Sequence, residues 1–156
     1  MIQFKEITSA EEKAAICNNI LRALPNWFGD EESLVDYVAG TKDKPFYGLF
    51  DGDAPVGFVS ILVHNKYTAE IYVMGILEAY HRQGLGKKIV ETCEDYCRAH
   101  GMEFLTVKTL DSSREDAYYA RTRMFYESVG FKPLEVFPTL WGPVNPCLFL
   151  VKTVTA

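Results

Sequence analysis

No stretch of this chain is apolar for long enough to cross a bilayer, so no transmembrane helix is expected. The opening residues MIQFKEITSAEEK lack the basic-then-apolar layout of a secretory signal, which makes a cytoplasmic location the default expectation. Positive charge is short: 16 Lys and Arg stand against 21 Asp and Glu, a formal net charge of −5. That excludes a nonspecific nucleic-acid binder, whose affinity comes largely from phosphate neutralisation. Cys17, Cys93, Cys97 and Cys147 include no Cys-x-x-Cys pair. Cys93 and Cys97 lie four apart on one face of a predicted helix with no His ligand near them. They read as small reduced core residues rather than as a disulfide or a metal site, and no metal is expected. There is also no internal repeat, no low-complexity tract and no linker long enough to divide domains. The 156 residues fit one domain, 1–156, with a proper core.

What is present alternates clearly between helical and strand patterns. Residues 2–8 alternate apolar and polar, a short strand. Ser9 with Glu12 three residues on is a capping-box pattern, opening a helix to about Leu24 that Pro25 ends. NWFGD follows as a loop with two aromatics expected to be exposed, and DEESLVDYVAG reads as a second helix that Gly40 terminates. Residues 44–51 and 56–64 form a predicted hairpin across GDAP, and 69–77 is a third strand. A helix from about Gly84 to His100 repeats Leu85, Ile89, Cys93 and Cys97 on one face, with Gly101 beyond its end. Residues 102–110 return as a strand, a further helix ends at Gly130, and FKPLEVFP and CLFLVKT close the chain as strands.

The predicted order is β-α-α-β-β-β-α-β-α-β-β. The helix between strands 69–77 and 102–110 implies a right-handed parallel crossover, while the hairpins imply antiparallel pairing. The fold class is therefore α/β (α+β), a mixed, mostly antiparallel central sheet flanked by helices.

The stretch EAYHRQGLGKK carries the main chemical signal. A Walker A loop fails here: His81 stands where its first glycine belongs, and Lys88 where Ser or Thr follows Gly86-Lys87. A dinucleotide fingerprint fails as well, because Ile89 replaces the third glycine. What remains is strand, HRQGLG loop, helix. The N–H groups at a helix start lack intrahelical acceptors and carry about half a unit of positive charge. Glycines admit a close anion, and Arg82, Lys87 and Lys88 add cations. From the loop alone, a diphosphate site and a plain strand-to-helix turn stand about even.

AEIYVMGILEAYHRQGLGKKIVETCEDYC resembles the coenzyme A motif of the GNAT acyltransferase superfamily. The pattern of Arg or Gln, two residues, Gly, one residue, Gly or Ala falls on His81, Gly84 and Gly86, with His81 departing from the usual first residue. RMFYESVGF resembles the superfamily's late helix and strand, and puts Tyr126 at its usual general-acid position. Tyr119 stands seven residues earlier, where an Asn is common. The element order matches over essentially the whole chain; the N-terminal third carries no such motif.

The resemblance implies acetyl-CoA as co-substrate, with no metal. Strands 69–77 and 102–110 would splay around the pantetheine arm. Met74, Gly75 and Ile76 would offer backbone groups to that arm and to the thioester oxygen. His81, Arg82, Gln83, Gly84, Leu85, Gly86 and Lys87 would surround the diphosphate. By the same resemblance Glu70 is the candidate general base, against the alternative of an outward carboxylate beside Lys66. An unperturbed carboxyl is a poor base for an ammonium. Tyr126 would protonate the departing thiolate, against the alternative of a packing aromatic. Trp27 and Phe28, with Trp141 and Asn145 in the last hairpin loop, are candidates for walling the amine site, against simple loop packing. Lys108, Arg121 and Arg123 read as solvated charges, and His64 and His100 as residues at a strand end and a helix end.

Two functions follow. One is an N-acetyltransferase that moves an acetyl group from acetyl-CoA to a primary amine of a small molecule or peptide, by direct attack in a ternary complex. The other is a non-catalytic acyl-CoA-binding regulatory module. Generic nucleotide-phosphate binding is disfavoured by the failed loop patterns. The aromatic C-terminal strands leave a homodimer open.

Overall fold

The computed structural model describes residues 1–155, which fold as the sequence pattern requires: β1 Ile2–Glu6, α1 Ala10–Arg22, α2 Glu31–Gly40, β2 Phe46–Asp51, β3 Ala54–Val63, β4 Thr68–Ile76, α3 Leu85–Ala99, β5 Phe104–Leu110, α4 Ala117–Ser128, β6 Lys132–Phe137 and β7 Cys147–Thr153. The seven strands form one mixed sheet in the order β1-β2-β3-β4-β5-β7-β6, flanked by helices. The chain groups into two compact units, one of Met1–Leu62 with Tyr72–Thr92, the other of Val63–Ile71 with the residues from Cys93 onward.

In the first unit, β1 runs antiparallel to β2 from Ile2↔Asp51 to Glu6↔Tyr47, and β2 runs antiparallel to β3. Gly52, at φ +62°, makes the hairpin turn that needs a left-handed residue. Ser9 caps α1, its Oγ accepting from the Glu12 N–H at 3.2 Å. Asp30 caps α2 in the same way through the Ser33 N–H. The apolar stripe of α1 (Ile16, Cys17, Ile20 and Leu21), with Leu24 just beyond it, buries against Phe46, Phe50, Phe58 and Val73. Each such side chain contributes about 1.5–3 kcal/mol on burial. Phe46 and Phe58 stack at 5.2 Å between centroids.

Two local expectations are corrected here. α2 ends at Gly40 as expected, but Gly40 is α-helical at φ −67° and not a left-handed stop. A Cβ there would strike the Tyr72 ring, and close approach explains the glycine. Lys13 is buried within the helix and donates to the Lys44 carbonyl at 2.7 Å. Trp27 and Phe28 are half-buried and pack on the core rim.

In the second unit, the first half of β4 pairs parallel with β5, from Thr68↔Phe104 to Ile71↔Val107. β5 pairs antiparallel with β7, and β7 with β6. β7 therefore lies between β5 and β6 although it is last in the chain. β6 is an edge strand, its register broken between Pro133 and Glu135. Asp116 caps α4 by accepting from the N–H groups of Tyr118 and Tyr119. Gly101 at φ +69° and Gly130 at φ +101° follow the ends of α3 and α4, as their positions predict. All four cysteines are buried and free. No helix among the described residues is long and apolar enough to cross a membrane.

Candidate functional site

The HRQGLG loop is fixed from both ends. The N–H of Leu77, just past β4, donates to the Val56 carbonyl at 2.9 Å, and a single 3-10 turn, Glu78–Tyr80, follows. Tyr80 Oη donates to Asp51 Oδ2 at 2.7 Å, and that bond raises the phenol's pKa. His81 Nε2 lies 2.6 Å from the Ile76 carbonyl. A carbonyl only accepts, so Nε2 carries the proton and donates. Trp27 meets the same imidazole edge-on at 5.8 Å. The side chain that departs from the usual Arg or Gln thus ties the end of β4 to the loop, a role its sequence position did not reveal.

Beyond His81 the backbone turns left-handed twice. Arg82 is at φ +62°, the one described residue other than glycine with positive φ, and Gly84 is at φ +79°. A side chain in that region costs about 1–2 kcal/mol. A Cβ at Gly84 would meet nothing within 4 Å, so conformation rather than crowding calls for glycine there. The first backbone bond into α3 runs from Lys88 N–H to the Gly84 carbonyl. The N–H groups of Leu85, Gly86 and Lys87 precede it and have no intrahelical acceptor. Arg82, Gln83, Lys87 and Lys88 are exposed around them. This donor set, with added cations and a helix dipole, suits a diphosphate.

Upstream, Met74 and Ile76 are half-buried and Gly75 is buried. A Cβ on Gly75 would lie 2.9 Å from Ile20 Cγ2 and 3.2 Å from Leu24 Cδ1. Gly75 therefore lets α1 pack directly on β4.

In the second unit, Glu70 is neither outward nor beside Lys66. It is 4% exposed, and Lys108 Nζ lies 2.8 and 2.9 Å from its two oxygens. His64 Nε2 lies 2.7 Å from Oε1. The parallel register sets Glu70 beside Thr106 on β5, so Lys108, two residues on, shares its face. Lys108 also sits over the Phe149 ring, 5.2 Å from its centroid. Lys108 is thus no solvated charge. Arg123 is not one either, since it donates to the Leu110 carbonyl at 2.6 Å. Arg121 is exposed and lies against the Tyr118 ring. Residue-type reasoning missed His64 and Lys108 as partners of Glu70. The alternation along two parallel strands was the signal that could have found Lys108.

Tyr126 is buried, 6% exposed, between the rings of Phe125 and Phe131 at 5.4 and 5.5 Å. Tyr119 is half-buried, and burial, aided by Asp116, pushes its phenol up to about 12. Burial pushes the Cys147 thiol to about 11, with Lys108 pulling it down and Glu70 pushing it up. Trp141 is half-buried in the β6–β7 loop, where Asn145 accepts from Arg114. His100 is exposed, with its ring stacked on Tyr96 at 4.1 Å. Among the described residues no group of three or more His, Cys, Asp or Glu is arranged to hold a metal ion.

Comparison with known proteins adds the following. The model of the Acetyltransferase (GNAT) family matches residues 13–131. A mycothiol acetyltransferase of Corynebacterium glutamicum (strain R) is 33% identical over 94 residues, 60% of this chain but only 30% of that protein. A GNAT-family protein from Desulfovibrio desulfuricans superposes with a TM-score of 0.83 at 17% identity, covering 99% of this chain and 100% of that one. An aminoglycoside 6'-N-acetyltransferase complexed with coenzyme A gives a TM-score of 0.77 at 17% identity, over 99% and 98% of the two chains. At these identities the structural likeness bears on fold.

Proposed function

The chain belongs to the GNAT family of acetyltransferases, and on that premise we propose that it transfers an acetyl group from acetyl-CoA to a primary amine of a small molecule or peptide, the two substrates bound together. The observation that carries this reading is the loop into α3, where Arg82 and Gly84 turn left-handed and the next three backbone N–H groups, without an intrahelical acceptor, lie beside exposed cations. In this proposal the loop from His81 to Lys87 holds the coenzyme's diphosphate. The backbone of Met74, Gly75 and Ile76 takes its pantetheine arm. His81 already engages the Ile76 carbonyl. Acetyl-CoA supplies the thioester.

Acetyl transfer forms an amide C–N bond and breaks the thioester C–S bond. The amine nitrogen must lose a proton, and the departing sulfur must gain one. Proton removal belongs to the cluster centred on Glu70, and Tyr126 supplies the proton to sulfur. Trp27, Phe28 and Trp141 contribute aromatic walls for the acceptor. The named relatives support acetyl transfer as the chemistry, since both a mycothiol and an aminoglycoside acetyltransferase are among them.

The test is a panel of aminoglycosides, polyamines, amino acids and peptide N-termini mixed with acetyl-CoA and the full chain, reading free thiol and product mass together. Thiol release matched by an acetylated amine is the expected result. Tight acetyl-CoA binding with no turnover on any amine would instead establish a binding module.

A further inference from the structure

Glu70 is the only buried carboxylate among the described residues. A carboxylate offers about four lone-pair positions. Lys108 takes one on each oxygen, and His64 takes a second on Oε1. Three of the four are thus engaged. Glu70 is poorly arranged to receive the amine's proton itself.

His64 is arranged differently. Its side chain is 37% exposed. Its Nε2–H donates to the Glu70 carboxylate, which fixes the tautomer and leaves the lone pair on Nδ1. A buried acid orienting an imidazole through one nitrogen, with the other free to act, is the arrangement of a general base and its orienting group. Lys108 compensates the carboxylate, so Glu70 orients the ring without placing net negative charge beside it. The other groups nearby are few. On β7 the buried Cys147 thiol senses both Glu70 and Lys108, and in the β3–β4 turn the Lys66 ammonium lies over the Tyr67 ring.

Resting on the acetyl-transfer reading, we propose that His64 Nδ1 accepts the proton of the attacking amine, with Glu70 and Lys108 as its positioning residues. The N–H bond of the amine breaks, the proton goes to Nδ1, and the electron pair stays on nitrogen to form the C–N bond. The imidazolium then gives its proton to water and the Tyr126 phenolate takes one from water, restoring the starting state.

The test compares the wild type with His64→Gln on an amine that the wild type acetylates, across a pH series. Gln keeps an N–H able to reach Glu70 and has no basic nitrogen. It is expected to melt within about 2 °C of the wild type and to bind acetyl-CoA equally well. Its kcat should fall about a hundredfold, and the acid limb of the kcat/KM profile should vanish. Should His64→Gln fold poorly, His64→Ala assayed with added imidazole takes its place, and recovery of turnover is expected. Unchanged turnover with an unchanged acid limb in His64→Gln overturns the proposal alone. A His64→Ala protein that imidazole does not rescue also overturns it, leaving His64 a structural role. A wild type that acetylates no amine overturns the acetyl-transfer reading, and this proposal with it.

Discussion

Replacing Lys108 by Met isolates the ion pair as a stability element. The substitution keeps the apolar stem and deletes the ammonium 2.8 and 2.9 Å from the Glu70 oxygens. The two partners differ in their escape to water: the Glu70 side chain is 5% exposed and that of Lys108 25%. Removing one member of a buried pair costs about 3–5 kcal/mol, because the other charge is left uncompensated. His64 still lies 2.7 Å from Oε1, which sets the cost near the lower end, about 3 kcal/mol. At about 2–4 °C per kcal/mol for a chain of this size, melting falls by about 6–12 °C. Glu70→Gln strands the ammonium instead, which can turn toward solvent, so that loss is smaller, about 1 kcal/mol. The double variant Glu70→Gln/Lys108→Met strands no charge and is more stable than Lys108→Met alone. Urea denaturation followed by circular dichroism measures all four proteins. A Lys108→Met protein within 1 kcal/mol of the wild type, or a double variant less stable than Lys108→Met, refutes the account.

Arg82→Gly relieves the left-handed side chain but adds freedom to the unfolded state; the net gain is about 0.5–1 kcal/mol. The same variant loses affinity for acetyl-CoA, measurable by calorimetry, because a loop cation is gone. Tyr126→Phe lowers turnover while acetyl-CoA affinity stays nearly unchanged, and equal turnover would remove the phenol from the mechanism. Burial raises the Cys17 thiol to about 12 and those of Cys97 and Cys147 to about 11, from 9.0. The unfolded chain therefore releases those protons first. The thiols' contribution is whole below about pH 9 and lost as pH rises through about 11 for Cys97 and Cys147 and about 12 for Cys17, by up to about 1.4 kcal/mol per pH unit for each. Urea midpoints at pH 8 and 10 will show the fall, and thiol reagents should label the native protein slowly at pH 8.

The elements were legible wherever local chemistry decides them. Ser9 caps α1, and Gly101 and Gly130 follow α3 and α4, because caps and left-handed stops depend on residues a few positions apart. The loop into α3 was legible for the same reason. Gly40 ends α2 where expected but for a different reason, because its glycine answers to the Tyr72 ring, which is distant in sequence. The Glu70 cluster was hidden on the same grounds: Lys108 lies 38 residues away, and only strand register joins the two. His81 looked anomalous as a loop residue and becomes intelligible once its bond to the Ile76 carbonyl is known.

The break in register on β6 bears on assembly. An incoming strand needs an unbroken row of N–H and C=O groups along an edge. β6 interrupts that row at Pro133, which has no N–H to give, and at the irregularity before Glu135. Leu134 and Val136 remain 60% and 41% exposed. This end of the sheet can therefore be covered by apolar side chains but not extended by a full-length ladder. It resists the edge-to-edge stacking by which β proteins aggregate.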